Sequence, residues 1–433
     1  MLDNEKKMAK KKTLNQTIKS LSDQLIAVQA PIRVLDAVNW DSTVRQNFLD
    51  SKGKKLPEIT PDYYRNRSLG FDCAAKRSEF LSLERQITNQ IGQLNPVGRL
   101  MRKMCSEYRV VLQMLEARGT PDFNAYSVEL YGGPLDVFHA GEPNLAELGM
   151  MLESTLSQMG SELLPENVKE LNAEDAVKIL AEKVKGSMPD VPVKVILSDG
   201  IVSDAAAGSD QLKLNQEVKF SHRELEILEV HEGWIHIGTT YNGMQQKCLT
   251  FMAKGTPSST ITQEGLAVLT EIVTLRSTPD RLKKLVNRIR AVTLATEGAD
   301  FVEIFRYFVD KGIDPAECYT LASRAFRGSL PTGLPFTKDL AYIKGFVLVY
   351  NLIRVAIQLG RLDKIPILLC GKVAIEDFKV YSDLMDEGYL QMPQFIPPHF
   401  ADFRGLAAWL SFGRFIGNLS FDQLEKDYRH LLN

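Results

Sequence analysis

Two histidines and two glutamates have the residue types and spacing of a hydrolytic zinc centre. His231, Glu232 and His236 form an H-E-x-x-x-H segment, and Glu264 follows within the segment Q-E-G-L-A at 263–267. Catalytic zinc usually has three protein ligands and an open position for water. His231, His236 and Glu264 are therefore the candidate ligands of one Zn²⁺ ion. Glu232 is the candidate general base, which accepts a proton from the attacking water.

The five-residue spacing of the histidines sets a condition on the helix that carries them. Ser221 and Glu224 match a capping box, which predicts a helix from about His222 into the motif. In a regular α-helix, positions five apart point roughly 140° away from each other, so His231 and His236 could not share an ion. A π-type turn would bring them together, and so would unwinding after the glycine between them. The sequence predicts one of these two distortions.

The third ligand is predicted to lie on a second helix that faces the first. Thr260 and Gln263 match another capping box, which places Glu264 in the first turn of a helix continuing through Leu266 and Leu269. One helix would then supply two histidines, and the other a carboxylate.

These segments resemble the QEGLA-motif proteins, a family that includes the microtubule-associated tyrosine carboxypeptidases of animals and many bacterial relatives. The H-E-x-x-x-H and Q-E-G-L-A segments carry the resemblance, with R-A-F-R-G at 324–328 and F-T-K-D at 336–339. It extends from about Trp40 to about Gly360. The resemblance implies a zinc metallopeptidase, with zinc ligands and a catalytic glutamate that carry over to His231, His236, Glu264 and Glu232.

A carboxypeptidase also needs cations that bind the terminal carboxylate of its substrate, and arginine suits this planar group best. Arg324 and Arg327 lie three residues apart and would share one face of a helix. Lys338 and Tyr342 are four residues apart in the next segment. We predict that these four residues bind substrate. For the two arginines, a surface salt bridge is the alternative.

Composition restricts the class of partner and the compartment. The chain has 433 residues, of which 44% are hydrophobic and 24% charged, the balance of a globular protein. A formal net charge of −2 gives no reason to expect a nucleic-acid partner. The sequence has no uninterrupted apolar run of about 18 residues, so we expect no membrane-spanning helix and no membrane partner. No signal peptide is recognisable at its N-terminus. Five scattered cysteines suit reduced thiols, so we expect a cytoplasmic protein. A lysine cluster at residues 6–12 is predicted to be a solvated terminus.

The predicted fold is α+β and predominantly helical, with a thermolysin-like zinc-peptidase core and a small β-sheet next to the active-site helix. Strand-like runs at 193–197 and 201–207 flank an Asp-Gly pair, which predicts a hairpin. Residues 211–214 are predicted to form a third strand, and are a candidate edge for a bound peptide. Three regions are expected: a basic tail and helix at 1–30, a mostly helical part of the catalytic domain at 31–190, and the zinc-binding part at 191–433.

The function predicted from these residues is that of a metallocarboxypeptidase, which hydrolyses the C-terminal peptide bond of a peptide or protein with a zinc-activated water. An aminopeptidase, an endopeptidase or an amidohydrolase with a specialised peptide substrate remains open. A non-catalytic regulatory protein also remains open, because some bacterial relatives are named for modulating flavohaemoglobin expression. The sequence leaves the side-chain preference and the oligomeric state undecided.

Overall fold

Helices dominate the residues that the structure describes. It is a computed structural model, and it describes residues 2–159, 168–199, 201 and 203–417 with positions 420, 423, 426 and 428. For residues 2–11 and 414 the backbone alone is described, so most side chains of the lysine cluster lie outside the described residues. A small three-stranded sheet completes the fold. The α+β, predominantly helical class is therefore confirmed.

The part of the chain before the sheet is mostly helical where it is described. Apolar residues at helical spacing predict its longest helices, and proline or glycine lies near several helix ends. Asn172, the predicted N-cap of one helix, accepts a hydrogen bond from the backbone N–H of Asp175. The helices are α1 (Leu2–Gln29), α2 (Val34–Val38), α3 (Ser42–Asp50), α4 (Pro61–Arg65), α5 (Cys73–Ile91), α6 (Pro96–Glu116), α7 (Pro121–Tyr131), α8 (Leu145–Ser157) and α9 (Ala173–Ser187).

The sheet has a different strand order from the one that the sequence predicts. Its strands are β1 (Lys194–Ser198), β2 (Ala205–Ala207) and β3 (Gln211–Asn215), in the order β1-β3-β2. The predicted hairpin between the first two strands is wrong, because β2 pairs with β3 antiparallel and β1 pairs with β3 parallel. The strand predicted at 211–214 is confirmed, but it is central and not an edge. Its two leucines, Leu212 and Leu214, are fully buried, which explains the central position.

After the sheet the chain is helical again. The elements are α10 (His222–Leu228), a π-helical segment (Glu229–Ile237), α11 (Gly238–Met244), a 3₁₀ helix (Thr250–Ala253), α12 (Pro257–Val273), α13 (Pro279–Thr296), α14 (Phe301–Asp310), α15 (Pro315–Phe326), a 3₁₀ helix (Thr337–Leu340), α16 (Ala341–Gln358), two further 3₁₀ helices (Leu362–Leu369 and Ile375–Asp377), α17 (Phe378–Asp386), α18 (Pro398–Ala401) and α19 (Phe403–Ile416).

The largest buried cluster joins helices from both ends of the chain. Leu25 of α1, Phe80 of α5 and Leu112 of α6 belong to the same apolar core as Met252 and Leu384. Burial of such side chains is the main favourable contribution to folding. Residues on both sides of position 190 therefore stabilise one body, while the regional boundaries at 30 and 190 stay predictions.

Helices α12 and α16 cross at two glycines, and this crossing fixes the position of Glu264. A Cβ atom on Gly265 would lie 1.9 Å from the carbonyl carbon of Gly345, and a Cβ on Gly345 would lie 1.9 Å from the carbonyl oxygen of Ile261. No side chain fits at such distances, so both positions require glycine. The close approach explains the glycine that directly follows Glu264 in the Q-E-G-L-A segment.

One stretch among the described residues, Thr337–Gln358, is long and apolar enough to cross a membrane by length and composition. A helix in the core of a globular protein passes the same test. This stretch includes α16, which packs on α12 through Gly345 and carries Tyr342, a residue that lines the pocket described below.

Candidate metal centre and its pocket

The helix that carries the two histidines has the distortion that their spacing requires. Ser221 and Glu224 form the predicted capping box, and α10 leads directly into the π-helical segment Glu229–Ile237. The wider π-turn brings positions five apart onto one face. The ring centroids of His231 and His236 lie 4.9 Å apart, with the rings nearly perpendicular at 81°. The structure therefore shows the π-type turn, and not unwinding after the glycine.

Glu264 faces both imidazoles from α12. Its Oε2 lies 3.4 Å from Nε2 of His231 and 3.5 Å from Nε2 of His236. The predicted capping box at Thr260 and Gln263 is wrong, because the side chain of Thr256 caps the helix one turn earlier. The helix begins at proline 257, so Glu264 lies two turns inside it and not in its first turn.

The donor atoms fit a metal ion. Oε2 of Glu264 is buried and has no hydrogen-bond partner, an expensive state for a carboxylate oxygen unless a cation lies beside it. A second grouping includes Glu232: His231, Glu232 and His236 each offer one possible ligand atom, and these three atoms lie within 4.8 Å of one another. This group could also hold an ion. Two imidazole nitrogens and a carboxylate are a donor set that zinc commonly takes in hydrolases.

The charge balance also favours a cation at this point. Burial lowers the pKa of His231, but the carboxylates of Glu264 and Glu271 raise it, to about 10. Burial raises the pKa of Glu264, but Lys338 and the two histidines hold it well below its usual range. The buried carboxylates therefore attract positive charge, which a divalent ion between the Nε2 atoms would supply.

Two residues that sequence reasoning missed orient His231. Its Nδ1 lies 2.6 Å from Oε1 of Glu271, and because a carboxylate only accepts, Nδ1 carries the hydrogen. Arg281 donates to both carboxylate oxygens of Glu271, at 2.8 and 3.0 Å. Burial raises the pKa of Glu271, but Arg281 and His231 lower it to about 2. A signal existed: Glu271 follows Glu264 by seven residues, two helical turns along the same face.

Glu232 lies between the histidines and the sheet. One of its oxygens, Oε2, accepts a hydrogen bond from the backbone N–H of Ala207, at 3.0 Å. Ala207 belongs to β2, and β2 is therefore the strand of the sheet that touches the candidate general base. The predicted neighbourhood of sheet and active-site helix is present.

A cavity of about 560 Å³ opens in front of these residues. Its wall includes all eight residues that the sequence predicts for the site, which come from four separate segments of the chain. They are His231, Glu232, His236, Glu264, Arg324, Arg327, Lys338 and Tyr342. The structure thus brings the predicted ligands and the predicted substrate-binding residues into one pocket.

The predicted substrate-binding cations differ in their partners. Arg324 forms a buried bidentate pair with Asp339, at 2.5 and 2.8 Å. Arg327 reaches the same carboxylate only at 3.4 Å, and its Nε is buried without a partner. Lys338 places its Nζ 3.5 Å from Oε1 of Glu264. The salt-bridge alternative for Arg324 is thus present, but the pair is buried and not on the surface.

Tyr342 and a missed arginine lie beside the histidines. The ring centroid of Tyr342 is 6.3 Å from that of His231. The guanidinium carbon of Arg288 lies 4.6 Å above the Tyr342 ring, within the range of a cation–π contact. Sequence reasoning missed Arg288, because α13 is rich in basic residues and nothing in its spacing separates this one from its neighbours.

A buried lysine supports the π-helical segment. Nζ of Lys372 donates to the backbone oxygen of His236 at 2.7 Å, and to the side-chain oxygens of Gln263 and Thr239 at 3.0 and 3.1 Å. Burial lowers the pKa of Lys372 to about 7. The hydroxyl of Thr240 donates to the same backbone oxygen of His236 at 2.8 Å, so side chains hold the end of the π-helical segment. The position of Lys372, more than 130 residues away in the sequence from His236, gave no signal.

A buried His₂Glu donor set beside an oriented glutamate defines a candidate metal-dependent hydrolase centre. The family model described as microtubule-associated tyrosine carboxypeptidase matches residues 46–418. Because the match covers most of the sequence, the chain belongs to this family, and the resemblance predicted from the motifs is confirmed. No curated protein matches the chain. The family match indicates a carboxypeptidase-like peptidase.

Proposed function

We propose that the protein is a zinc metallocarboxypeptidase that removes a residue from the C-terminus of a peptide or protein. One observation carries the proposal: the buried, unpartnered Oε2 of Glu264 lies 3.4 and 3.5 Å from the Nε2 atoms of two histidines. His231, His236 and Glu264 would hold one Zn²⁺. When bound there, zinc would lower the pKa of a water molecule toward about 7 and polarise the scissile carbonyl.

The protein's own groups supply the proton transfer. Ala207 holds one oxygen of Glu232, which leaves the other oxygen to accept a proton from the attacking water. Glu232 would then pass this proton to the nitrogen of the leaving amine as the C–N bond breaks. The C-terminal residue leaves with a free amine, and the remaining peptide gains a new terminal carboxylate.

The pocket favours a free C-terminus over an internal bond. Its wall carries the guanidinium groups of Arg281, Arg288, Arg324 and Arg327 and the ammonium of Lys338. Such a cationic wall binds an anionic end group, whereas an internal peptide bond brings no charge of its own. The printed family name specifies tyrosine and microtubules. We extend only the carboxypeptidase class to this chain.

The relation to thermolysin-like peptidases belongs to the same proposal. A sheet strand beside the metal helix supports it, since β2 contacts the general base through Ala207. An extended peptide can add to an exposed strand edge by backbone pairing. The edge available here would be that of β2.

Mass spectrometry of a mixed peptide library, incubated with zinc-loaded protein, tests the proposal. The wild type should remove single C-terminal residues, while Glu232→Gln with the same zinc content should leave the library intact. Loss of N-terminal residues or internal cleavage would instead indicate an aminopeptidase or an endopeptidase. An intact library with fully zinc-loaded wild type would contradict peptide hydrolysis.

A further inference from the structure

We propose that Arg288, together with Arg327, binds the terminal carboxylate of the substrate, and that Arg324 acts only as a positioning residue. This inference rests on the proposed carboxypeptidase function and names the groups that would make the enzyme an exopeptidase. It adds Arg288 to the predicted substrate-binding residues and gives a different role to Arg324.

Two guanidinium groups in the pocket share one carboxylate, and a third, that of Arg288, has no carboxylate partner among the described residues. Arg324 occupies both oxygens of Asp339, at 2.5 and 2.8 Å, and Arg327 approaches one of these oxygens at 3.4 Å. No described acidic group lies within 4.0 Å of Arg288. The cluster therefore carries more positive than negative charge, and a second carboxylate would balance part of the excess.

The unpartnered donors identify which arginines are available. Nη1 of Arg288 and Nε of Arg327 are both buried without a hydrogen-bond acceptor. Buried N–H groups are nearly always paired in folded proteins, because an unpaired one loses its hydrogen bonds to water without compensation. Arg324 uses its Nε and Nη2 on Asp339. The two unpaired donors point to an acceptor that the substrate brings.

Three other cations of the pocket, Arg281, Lys338 and Lys372, already have partners among the described residues. Arg281 binds Glu271 with two hydrogen bonds, and Lys338 lies 3.5 Å from Oε1 of Glu264. The ammonium group of Lys372 donates to three oxygens. These groups orient or balance the metal ligands, so they are poorer candidates for the substrate carboxylate.

Arg288 also lies at a suitable place relative to the histidines. Both groups adjoin the ring of Tyr342, whose centroid lies 6.3 Å from the ring of His231 and 4.6 Å from the guanidinium carbon of Arg288. In a carboxypeptidase only one residue lies between the scissile carbonyl and the terminal carboxylate. Arg288 and His231 adjoin the same ring, which is the proximity that this requirement calls for, and the cation–π contact holds the guanidinium in place.

Binding measurements on zinc-loaded Glu232→Gln test the inference without any need for turnover. Calorimetry would compare one peptide as the free acid with the same peptide as its C-terminal amide. A bidentate charge-assisted pair contributes about 1.5–3 kcal/mol, so the acid should bind roughly 10- to 100-fold more tightly. Adding Arg288→Met should remove most of the preference for the acid, of which Arg327 alone would keep a small part, and should leave amide binding unchanged.

Two further variants make the test specific. Arg290→Met is the matched control, because Arg290 lies on the same helix but its guanidinium stacks on Tyr307 and does not line the pocket. It should keep the preference for the acid. Arg288→Lys retains the charge without the planar fork and should keep only part of the preference; it also serves if the methionine variant fails to fold.

The outcomes separate this inference from the proposed function. If Arg288→Met keeps the full preference for the acid, or if the parent protein shows no preference, carboxylate binding by Arg288 is refuted even when the wild type removes C-terminal residues. If the preference depends on Arg288 but the wild type cleaves no peptide, carboxylate binding by Arg288 is supported and the proposed peptidase function fails.

Discussion

Nδ1 of His231 lies 2.6 Å from Oε1 of Glu271, and this contact turns the opposite ring nitrogen toward Glu264. The tautomer is fixed, since the carboxylate can only accept the Nδ1 hydrogen. Nε2 is then left with its lone pair in the direction of the candidate metal position. Carboxylates in this position make histidine a better metal ligand.

Glu271→Gln should weaken zinc binding by about 10- to 100-fold, because the amide orients His231 without the charge that increases its basicity. Competition with a chromophoric chelator would measure the zinc affinity of purified protein. Glu297→Gln is the matched control, since Glu297 is exposed and does not line the pocket. Equal zinc affinity for Glu271→Gln and wild type would show that this contact does not support a metal ligand.

Gly265→Ala should destabilise the protein by about 3 kcal/mol or more, because the added methyl group would meet the backbone of α16 and not a flexible side chain. Urea unfolding would measure the change in the free energy of unfolding. Gly186→Ala is the control, because a Cβ atom there meets no atom within 4 Å. Alanine favours the helix over glycine, so this substitution should raise the free energy of unfolding by about 0.5–1 kcal/mol. Similar effects of the two substitutions would contradict the close helix crossing.

Asp339→Asn should lower the free energy of unfolding by about 3–5 kcal/mol at pH 7, because it leaves buried arginines without their carboxylate. Burial raises the pKa of Asp339, but Arg324, Arg327 and Arg288 lower it below its ordinary value of 3.8. The stabilisation is therefore present above pH 3.8 and is lost as the pH falls toward the lower folded value.

Urea titrations of chelator-treated protein at several pH values would test this pH dependence. The difference in stability between wild type and Asp339→Asn should be constant near neutrality and decrease below about pH 4. Asp62→Asn, which alters an exposed pair with Arg65, should change stability by less than about 1 kcal/mol. A difference that grows on acidification would have the wrong sign for this account.

Zinc removal should lower the thermal stability of the wild type. At a free zinc concentration 1,000 times the Kd, binding adds about 4 kcal/mol to the free energy of unfolding. Calorimetric scans with and without chelator would show this as a fall in Tm. Glu264→Gln, which lacks the carboxylate ligand, should respond much less. Equal responses of the two proteins would place the stabilising zinc elsewhere.

Local signals in the sequence predicted much of the site. The spacing of His231 and His236 predicted a helix distortion, because five residues do not return to the same face of an α-helix. The capping box at Ser221 and Glu224 predicted the start of that helix. The Q-E-G-L-A segment drew attention to Glu264, which the structure places opposite both imidazoles.

Features that depend on packing were missed or wrong. The helix of Glu264 starts at an earlier cap, Thr256, because two capping patterns compete and only one helix start suits the crossing with α16. The strand order depends on which strand buries more apolar side chains. The burial of Leu212 and Leu214 favours the central position for β3. Lys372 reaches the site from a distant segment, so no periodicity could reveal it.

Anomalous X-ray scattering at the zinc absorption edge, from a crystal grown with zinc, tests the central claim most directly. The account predicts one strong peak within about 2.0–2.2 Å of Nε2 of His231, Nε2 of His236 and a carboxylate oxygen of Glu264. A folded, zinc-treated protein with no peak at these atoms, or with zinc bound only at other residues, would contradict it.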